Sequence, residues 1–231
     1  KDLGIVRDRL IQFKDERKLI KSVPKFVPAG QTTQMVVGAD NETDQDVILM
    51  ADRHYKEFKL KRVYYSGYIP INTEEKALPA VGTAPPLLRE NRLYQSDWLM
   101  RFYGFEAKEI VNNQHPNLDL EVDPKLSWAL RNPELFPVDI NKADYRMILR
   151  VPGIGVRSAK KIVSARRFGK IHIDQLKRMG VAYNRAQHFI RCADTPQFIK
   201  DLMPSQIRHQ ILQGGQSKYT SQLSPQLGLG F

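Results

Sequence analysis

Asn141-Lys-Ala-Asp-Tyr-Arg-Met-Ile-Leu-Arg-Val-Pro-Gly-Ile-Gly-Val-Arg-Ser-Ala-Lys-Lys-Ile-Val163 decides how the chain is read. Asn141 is of a type that caps helices, because its short side chain accepts a hydrogen bond from a free amide of the first turn. Behind it, Tyr145, Ile148 and Leu149 fall on one side of a helix. Val151-Pro152-Gly153-Ile154-Gly155 then reads as a tight hairpin. Glycine tolerates positive φ and leaves its amide bare to a close-approaching anion. A second helix starts near Val156, with Ala159, Ile162 and Val163 turned inward and Ile154 as the apolar plug between the two helices. Its first amides lack intrahelical acceptors and lie at the positive end of the helix dipole, a ready anion site. Arg157, Lys160 and Lys161 follow on that helix, and Arg150 stands at the turn.

The charge of the chain is concentrated on the same segment. The formal net charge is +11; residues 139–192 carry thirteen Lys and Arg against three Asp, a balance of +10 that leaves +1 for everything else. A concentrated positive field draws a polyanion by releasing its condensed counterions. The plainer alternative is a solvated basic face. Backbone amides that hold phosphate position a duplex without reading its sequence. Two other phosphate motifs fit poorly. A dinucleotide fingerprint needs a strand before Gly153 and a third glycine where Ser158 stands. A P-loop needs Gly-Lys-Ser/Thr, which does not follow.

Composition narrows the class further. A hydrophobic content of 42% supports a packed core. No apolar run approaches the ~20 residues of a membrane span, and no basic-then-apolar leader is seen, so no membrane partner is expected. The single cysteine, Cys192, allows no internal disulfide and suits a cytoplasmic location. One thiol alone holds neither zinc nor an iron–sulfur cluster.

The front of the chain has a different character. Residues 2–20 read as an amphipathic helix carrying Leu3, Val6, Leu10, Phe13 and Leu19. Thr33–Val37 reads as a buried strand closed by Gly38, and Arg62–Ser66 as a second strand. Between them Thr43 and Asp46 form a capping box for a helix reaching about Phe58, so the unit is a parallel βαβ. The acids Asp40, Glu42, Asp44 and Asp46 are explained as helix-start charges. Residues 77–87 are Pro-rich and loop-like, and a polar-aromatic helix follows from about Leu88 to Tyr103. The expected organisation is a partial α/β domain over 1–104, a Pro-rich connector over 105–138 with one short helix near Lys125–Leu130, an all-α basic module over 139–192, and a Gln/Ser/Gly-rich tail over 193–231. Two strands with their helices leave apolar faces uncovered, so the front half is expected to be part of a larger domain.

Leu149-x-x-x-Gly153-Ile-Gly-x-x-x-Ala159-x-x-Ile162 resembles the helix-hairpin-helix motif of DNA repair enzymes and polymerases. Ile173 to Ile190 looks like its degenerate second copy, with Leu176, Met179, Gly180, Val181, Ala186 and Ile190 in equivalent positions. The resemblance implies DNA-binding residues Gly153, Gly155, Arg157 and Ser158, with Lys160, Lys161, Arg150 and, more weakly, Arg185 around them. It also implies a monovalent cation, K+ or Na+, on the carbonyls of Leu149, Val151 and Ile154.

Three longer stretches carry a second resemblance: Phe26-Val-Pro-Ala-Gly-Gln-Thr-Thr-Gln-Met-Val-Val-Gly-Ala39, Val63-Tyr-Tyr-Ser-Gly-Tyr-Ile-Pro70 and Pro86 to Phe105. Together with the hairpins they are similar to the radical S-adenosylmethionine proteins of DNA modification and repair that end in tandem helix-hairpin-helix repeats. That family implies a (β/α) barrel of which this chain holds the C-terminal portion, S-adenosylmethionine bordering Gly38, and a 4Fe-4S cluster. It also suggests a uracil-DNA-glycosylase-like partner. The three-cysteine cluster motif is missing from this sequence, so the chain is expected to be a fragment of a longer protein. The alternative is a non-catalytic DNA-binding or scaffolding protein.

Overall fold

A computed structural model describes residues 2–71, 78–82, 84, 86–195 and 203–219, with the side chains of the last helix described to residue 214. Parts of the Pro-rich stretch and about half of the expected tail lie outside the described residues. The chain divides into two units, Lys1–Arg101 with Phe105–Leu120, and Phe102–Gly104 with Glu121–Phe231. No helix among the described residues is long and apolar enough to cross a membrane.

In the first unit, α1 (Asp2–Leu19) forms where the apolar period predicted it, yet none of its residues is buried. β1 (Thr32–Val37) and β2 (Arg62–Gly67) pair in parallel, Thr32 opposite Arg62 and Val37 opposite Gly67, with α2 (Asp44–Phe58) as the crossover. Val37, Ile48, Ala51, Val63, Tyr65, Leu93 and Leu99 form the core. The Thr43 hydroxyl accepts from the Asp46 amide and the Asp46 carboxylate accepts from the Thr43 amide, the reciprocal cap expected from sequence. The Thr43 hydroxyl, which donates to the same carboxylate at 2.6 Å, and then the Thr43 amide hold the Asp46 carboxyl below its usual range.

Side chains seal the outer edge of β2. The amides of Val63, Tyr65 and Gly67 donate to Tyr55 Oη, Tyr94 Oη and Glu90 Oε2 at 2.9, 3.0 and 2.9 Å. Tyr94 and Glu90 belong to α3 (Leu87–Phe102), the polar-aromatic helix. An edge already paired in this way offers no template to another strand. The described residues place no strand beside the outer edge of β1. Asp44 is a buried hub: it accepts from Arg89 Nε at 2.6 Å and from the Leu118 amide at 2.7 Å. Arg89 also binds Glu42, so two of the acids read as helix-start charges belong to one arginine-centred network. The short α4 (Ala107–Ile110) buries Ala107 and Ile110 against this core.

The second unit begins earlier than the basic module. Residues 121–138, expected as a connector, belong to it. α5 (Pro124–Arg131) buries Leu126, Trp128 and Ala129, and a 3-10 turn (Pro133–Leu135) follows. Next come β3 (Val138–Asp139), α6 (Tyr145–Arg150), α7 (Val156–Ala165), α8 (Ile173–Arg178), α9 (Tyr183–Ala186), β4 (Ile190–Arg191) and α10 (Pro204–Tyr219). The module is not wholly helical. β3 pairs in parallel with β4, tying its two ends through Val138 N to Phe189 O and Ile140 N to Arg191 O.

Asn141 does not cap α6. Asp144 does, accepting from the Met147 amide at 2.7 Å. Asn141 instead clamps the segment before α8: its Oδ1 accepts from the Ile171 amide and its amide nitrogen donates to the Ile171 carbonyl. The pairs α6–α7 and α8–α9 repeat one pattern. Leu149, Ile154 and Ala159 are buried in the first, and Leu176, Val181 and Ala186 in the second. Gly153 and Gly180 occupy the same turn position, with φ of 87° and 84°. The Gly153 carbonyl accepts from the Ala182 amide at 2.9 Å, and Ser158 Oγ donates to the Met179 carbonyl at 3.1 Å, so each hairpin rests on the other.

These bonds rank two substitutions. Asp144→Ala removes a helix cap and should cost about 1 kcal/mol. Asn141→Ala leaves a part-buried amide and carbonyl without their partner and should cost more, about 2 kcal/mol. Urea unfolding followed by circular dichroism measures both; an equal or reversed order would show that the clamp at Ile171 contributes little.

Candidate nucleic-acid interface

The N-terminus of α7 is where the sequence placed a phosphate cradle. Gly155 is its N-cap and supplies no side-chain cap. The Gly155 carbonyl receives the Ala159 amide at 2.9 Å, which starts the helical ladder. The amides of Gly155, Arg157 and Ser158 meet no acceptor among the described residues. The backbone of Val156 is hydrogen-bonded to the hydroxyl of Tyr103, whose pKa is raised chiefly by burial. A Cβ at Gly155 would touch only that hydroxyl, at 3.7 Å. Three donors at the positive end of a helix dipole therefore lack an acceptor among the described residues.

Arg157, Lys160 and Lys161 are exposed, at spacings that put them on one face of α7, while Ser158, Ala159 and Ile162 are buried on the other. No acid pairs with these three cations among the described residues. They form a positive stripe that starts beside the open amides.

The structure gives other expected site residues different work. Gly153 has no room for a side chain: a Cβ there would lie 2.6 Å from the Ala182 carbonyl oxygen and 3.2 Å from the Ala186 nitrogen. Its glycine is needed for positive φ and for the close approach of the second hairpin, and its amide, like that of Gly155, meets no acceptor among the described residues. The Ser158 hydroxyl is buried on Met179, so only its amide is available. The Arg150 guanidinium lies 5.0 Å from the Trp128 ring and donates to the Gly104 carbonyl. Arg185 is ion-paired with Asp123 at 2.6 Å.

Sequence reading missed Lys125. Its Nζ donates to the Ile154 carbonyl at 2.6 Å, and the residue is only 8% exposed. The ring of Tyr103 lies 4.8 Å from the ammonium. Burial lowers its pKa from 10.5 to about 7, with Asp123 opposing the shift and Arg185 adding to it. The Ile154 carbonyl was one of three expected to hold K+ or Na+; a second expected ligand, the Val151 carbonyl, receives the Ile154 amide at 3.1 Å. The residues present do not fit an alkali ion, because a cationic side chain already stands at the central oxygen. One signal was legible. Lys125 follows Asp123-Pro124 in the first turn of α5, where the helix dipole disfavours a cation, so a specific partner had to hold it.

At Gly38, the expected S-adenosylmethionine border, the amide is already engaged and Pro86 stands close. The Gly38 amide donates to Glu42 Oε1 at 2.8 Å, and a Cβ at Gly38 would lie 2.8 Å from Pro86 Cγ. Pro86 also stands 3.2 Å from the Cβ position of Gly67, so one proline covers both strand ends. No group of His, Cys, Asp or Glu that could hold a metal ion occurs among the described residues. With one cysteine in the sequence, no cluster chemistry is derived for this chain.

Lys125 gives the second unit a defined pH response. Folded Lys125 holds its proton less tightly than the unfolded chain, where the value is near 10.5. Between the two values the unfolded state binds more protons, so stability rises with pH, and the burial penalty is fully present below about 7. Stability against urea should therefore increase from about pH 7 to about pH 9, by up to ~2 kcal/mol, and Lys125→Met should flatten the rise. An equal rise in the variant would locate the titration elsewhere. No family model, no curated protein and no solved structure matches the chain, so what the second unit does is read from its geometry and charge.

Proposed function

We propose that the second unit binds duplex DNA through its phosphate backbone without reading base sequence. The observation that carries this is the pairing of open amides at Gly155, Arg157 and Ser158 with the acid-free stripe of Arg157, Lys160 and Lys161. A phosphate at the helix entrance gains several N–H donors and the dipole field together. The three side chains then lie along one exposed helical face, where they can neutralise phosphates on either side. Arg150, Arg185 and the Ser158 hydroxyl act indirectly by holding the hairpins in place. Contacts of this kind fix orientation and carry no base information.

For the first unit, the resemblance to radical S-adenosylmethionine repair proteins suggests that the DNA held by the second unit serves an enzymatic domain. The closure of Gly38 and Gly67 by Pro86 favours a second reading, in which this part of the first unit is a non-catalytic scaffold.

Fluorescence anisotropy with two unrelated duplexes tests the binding. The double change Lys160→Glu and Lys161→Glu should weaken both duplexes alike, by about tenfold or more at low salt. The slope of log affinity against log salt should become shallower by ~2, since each neutralised phosphate contributes ~0.9. Gly153→Val is unsuitable as a binding probe, because the added side chain would strike the Ala182 carbonyl. Unchanged affinity for both duplexes would end the proposal, and weakening of one alone would show sequence reading.

A further inference from the structure

We infer that the second unit supplies its own hairpin cation: the Lys125 ammonium, not a bound alkali ion, holds the Ile154 carbonyl and fixes the loop whose amides meet phosphate. The inference rests on the phosphate reading above and adds a positioning residue to it.

Gly155 is held on both flanks. On one side the Ile154 carbonyl is bound by Lys125 Nζ at 2.6 Å. On the other the backbone of Val156 is bound by the Tyr103 hydroxyl. The two anchors touch each other, because the Tyr103 ring lies 4.8 Å from the Lys125 ammonium. The segment Ile154–Val156 is thus pinned at both ends by one interacting pair of side chains, which leaves the Gly155 amide facing outward between them. An ammonium has three directional donors and favours an aromatic face, so one carbonyl and one ring suit it. An alkali ion would need a shell of oxygens and would face the repulsion of Lys125 at the same carbonyl.

The charges around Lys125 are consistent with a fixed role. Asp123 is the acid that favours its charged form. That carboxylate is itself held in place, capping α5 through the Leu126 amide at 3.1 Å and pairing with Arg185 of α9 at 2.6 Å. Arg185 opposes the Lys125 charge from the second hairpin. The lysine is therefore built into the junction of α5, the α6–α7 turn and α9.

The test uses the full chain at about pH 6, where the amine is charged. Duplex affinity is measured at equal ionic strength in sodium, potassium and tetramethylammonium chloride. The wild type should bind equally in all three, within about twofold, because no specific alkali ion takes part. Lys125→Met should retain its circular dichroism spectrum and bind about tenfold more weakly, the loss expected when a charged hydrogen-bond donor leaves a buried carbonyl. Tighter wild-type binding in sodium or potassium than in tetramethylammonium would overturn the inference. So would a folded Lys125→Met variant that binds like the wild type. If that variant does not fold, the three-salt comparison on the wild type still decides. If the wild type binds no duplex at all, the phosphate reading has failed, and melting of the protein alone in the same salts decides the cation question. Equal melting temperatures support Lys125; an alkali-specific increase overturns it.

Discussion

The close approach of two backbones at Gly153 sets the geometry of the second unit. With φ of 87° and the Ala182 carbonyl where a Cβ would stand, this position admits no side chain. The contact lets Gly153 O receive the Ala182 amide and Ser158 Oγ reach the Met179 carbonyl. The two hairpins thereby satisfy each other's turn groups. What they leave without an acceptor includes the first amides of α7. Gly153 is thus required by the packing of the two hairpins, whereas a Cβ at Gly155 would meet only the Tyr103 hydroxyl.

Much of this was legible in the sequence. The hairpin could be read because its signals are local: glycines at a fixed spacing, an apolar plug and a helical period on either side. The βαβ unit was readable for the same reason, since Thr43 and Asp46 lie within one turn. Errors arose where a partner is distant in the chain. The Ser158 hydroxyl looks free until Met179 is placed above it. Arg185 looks free until Asp123 is placed beside it. Asn141 and Asp144 are both capping types three residues apart, and only the position of Ile171 separates clamp from cap.

The domain boundary was misplaced for a different reason. Pro116, Pro124, Pro133 and Pro137 look like linker punctuation. Yet proline is also favoured at the first position of a helix, where its missing amide costs nothing. Pro124 opens α5 and Pro133 opens the 3-10 turn, so two of the four begin elements rather than interrupt them. Lys125 was hidden with them. It is remote in sequence from both Tyr103 and Ile154, and nothing in its neighbours names either partner.

Charge distribution separates the two units more sharply than fold does. In the first, several cations are matched internally: Arg89 with Asp44 and Glu42, Arg101 with Asp97, Lys56 with Asp52. In the basic module thirteen cations meet three acids, and self-repulsion works against the compact state. Burying Lys125 within that field is unfavourable for the free protein, because desolvation and like charge both oppose the ammonium. A polyanion at the α7 entrance would offset the like-charge contribution, though not the desolvation. It screens the repulsion along the stripe and adds negative potential close to the buried charge. A ligand that binds only the folded form also stabilises that form by mass action. On the proposed reading, the self-repulsion of an over-positive unit and an affinity for phosphate would be two expressions of one electrostatic imbalance, centred on the hairpin that Lys125 holds.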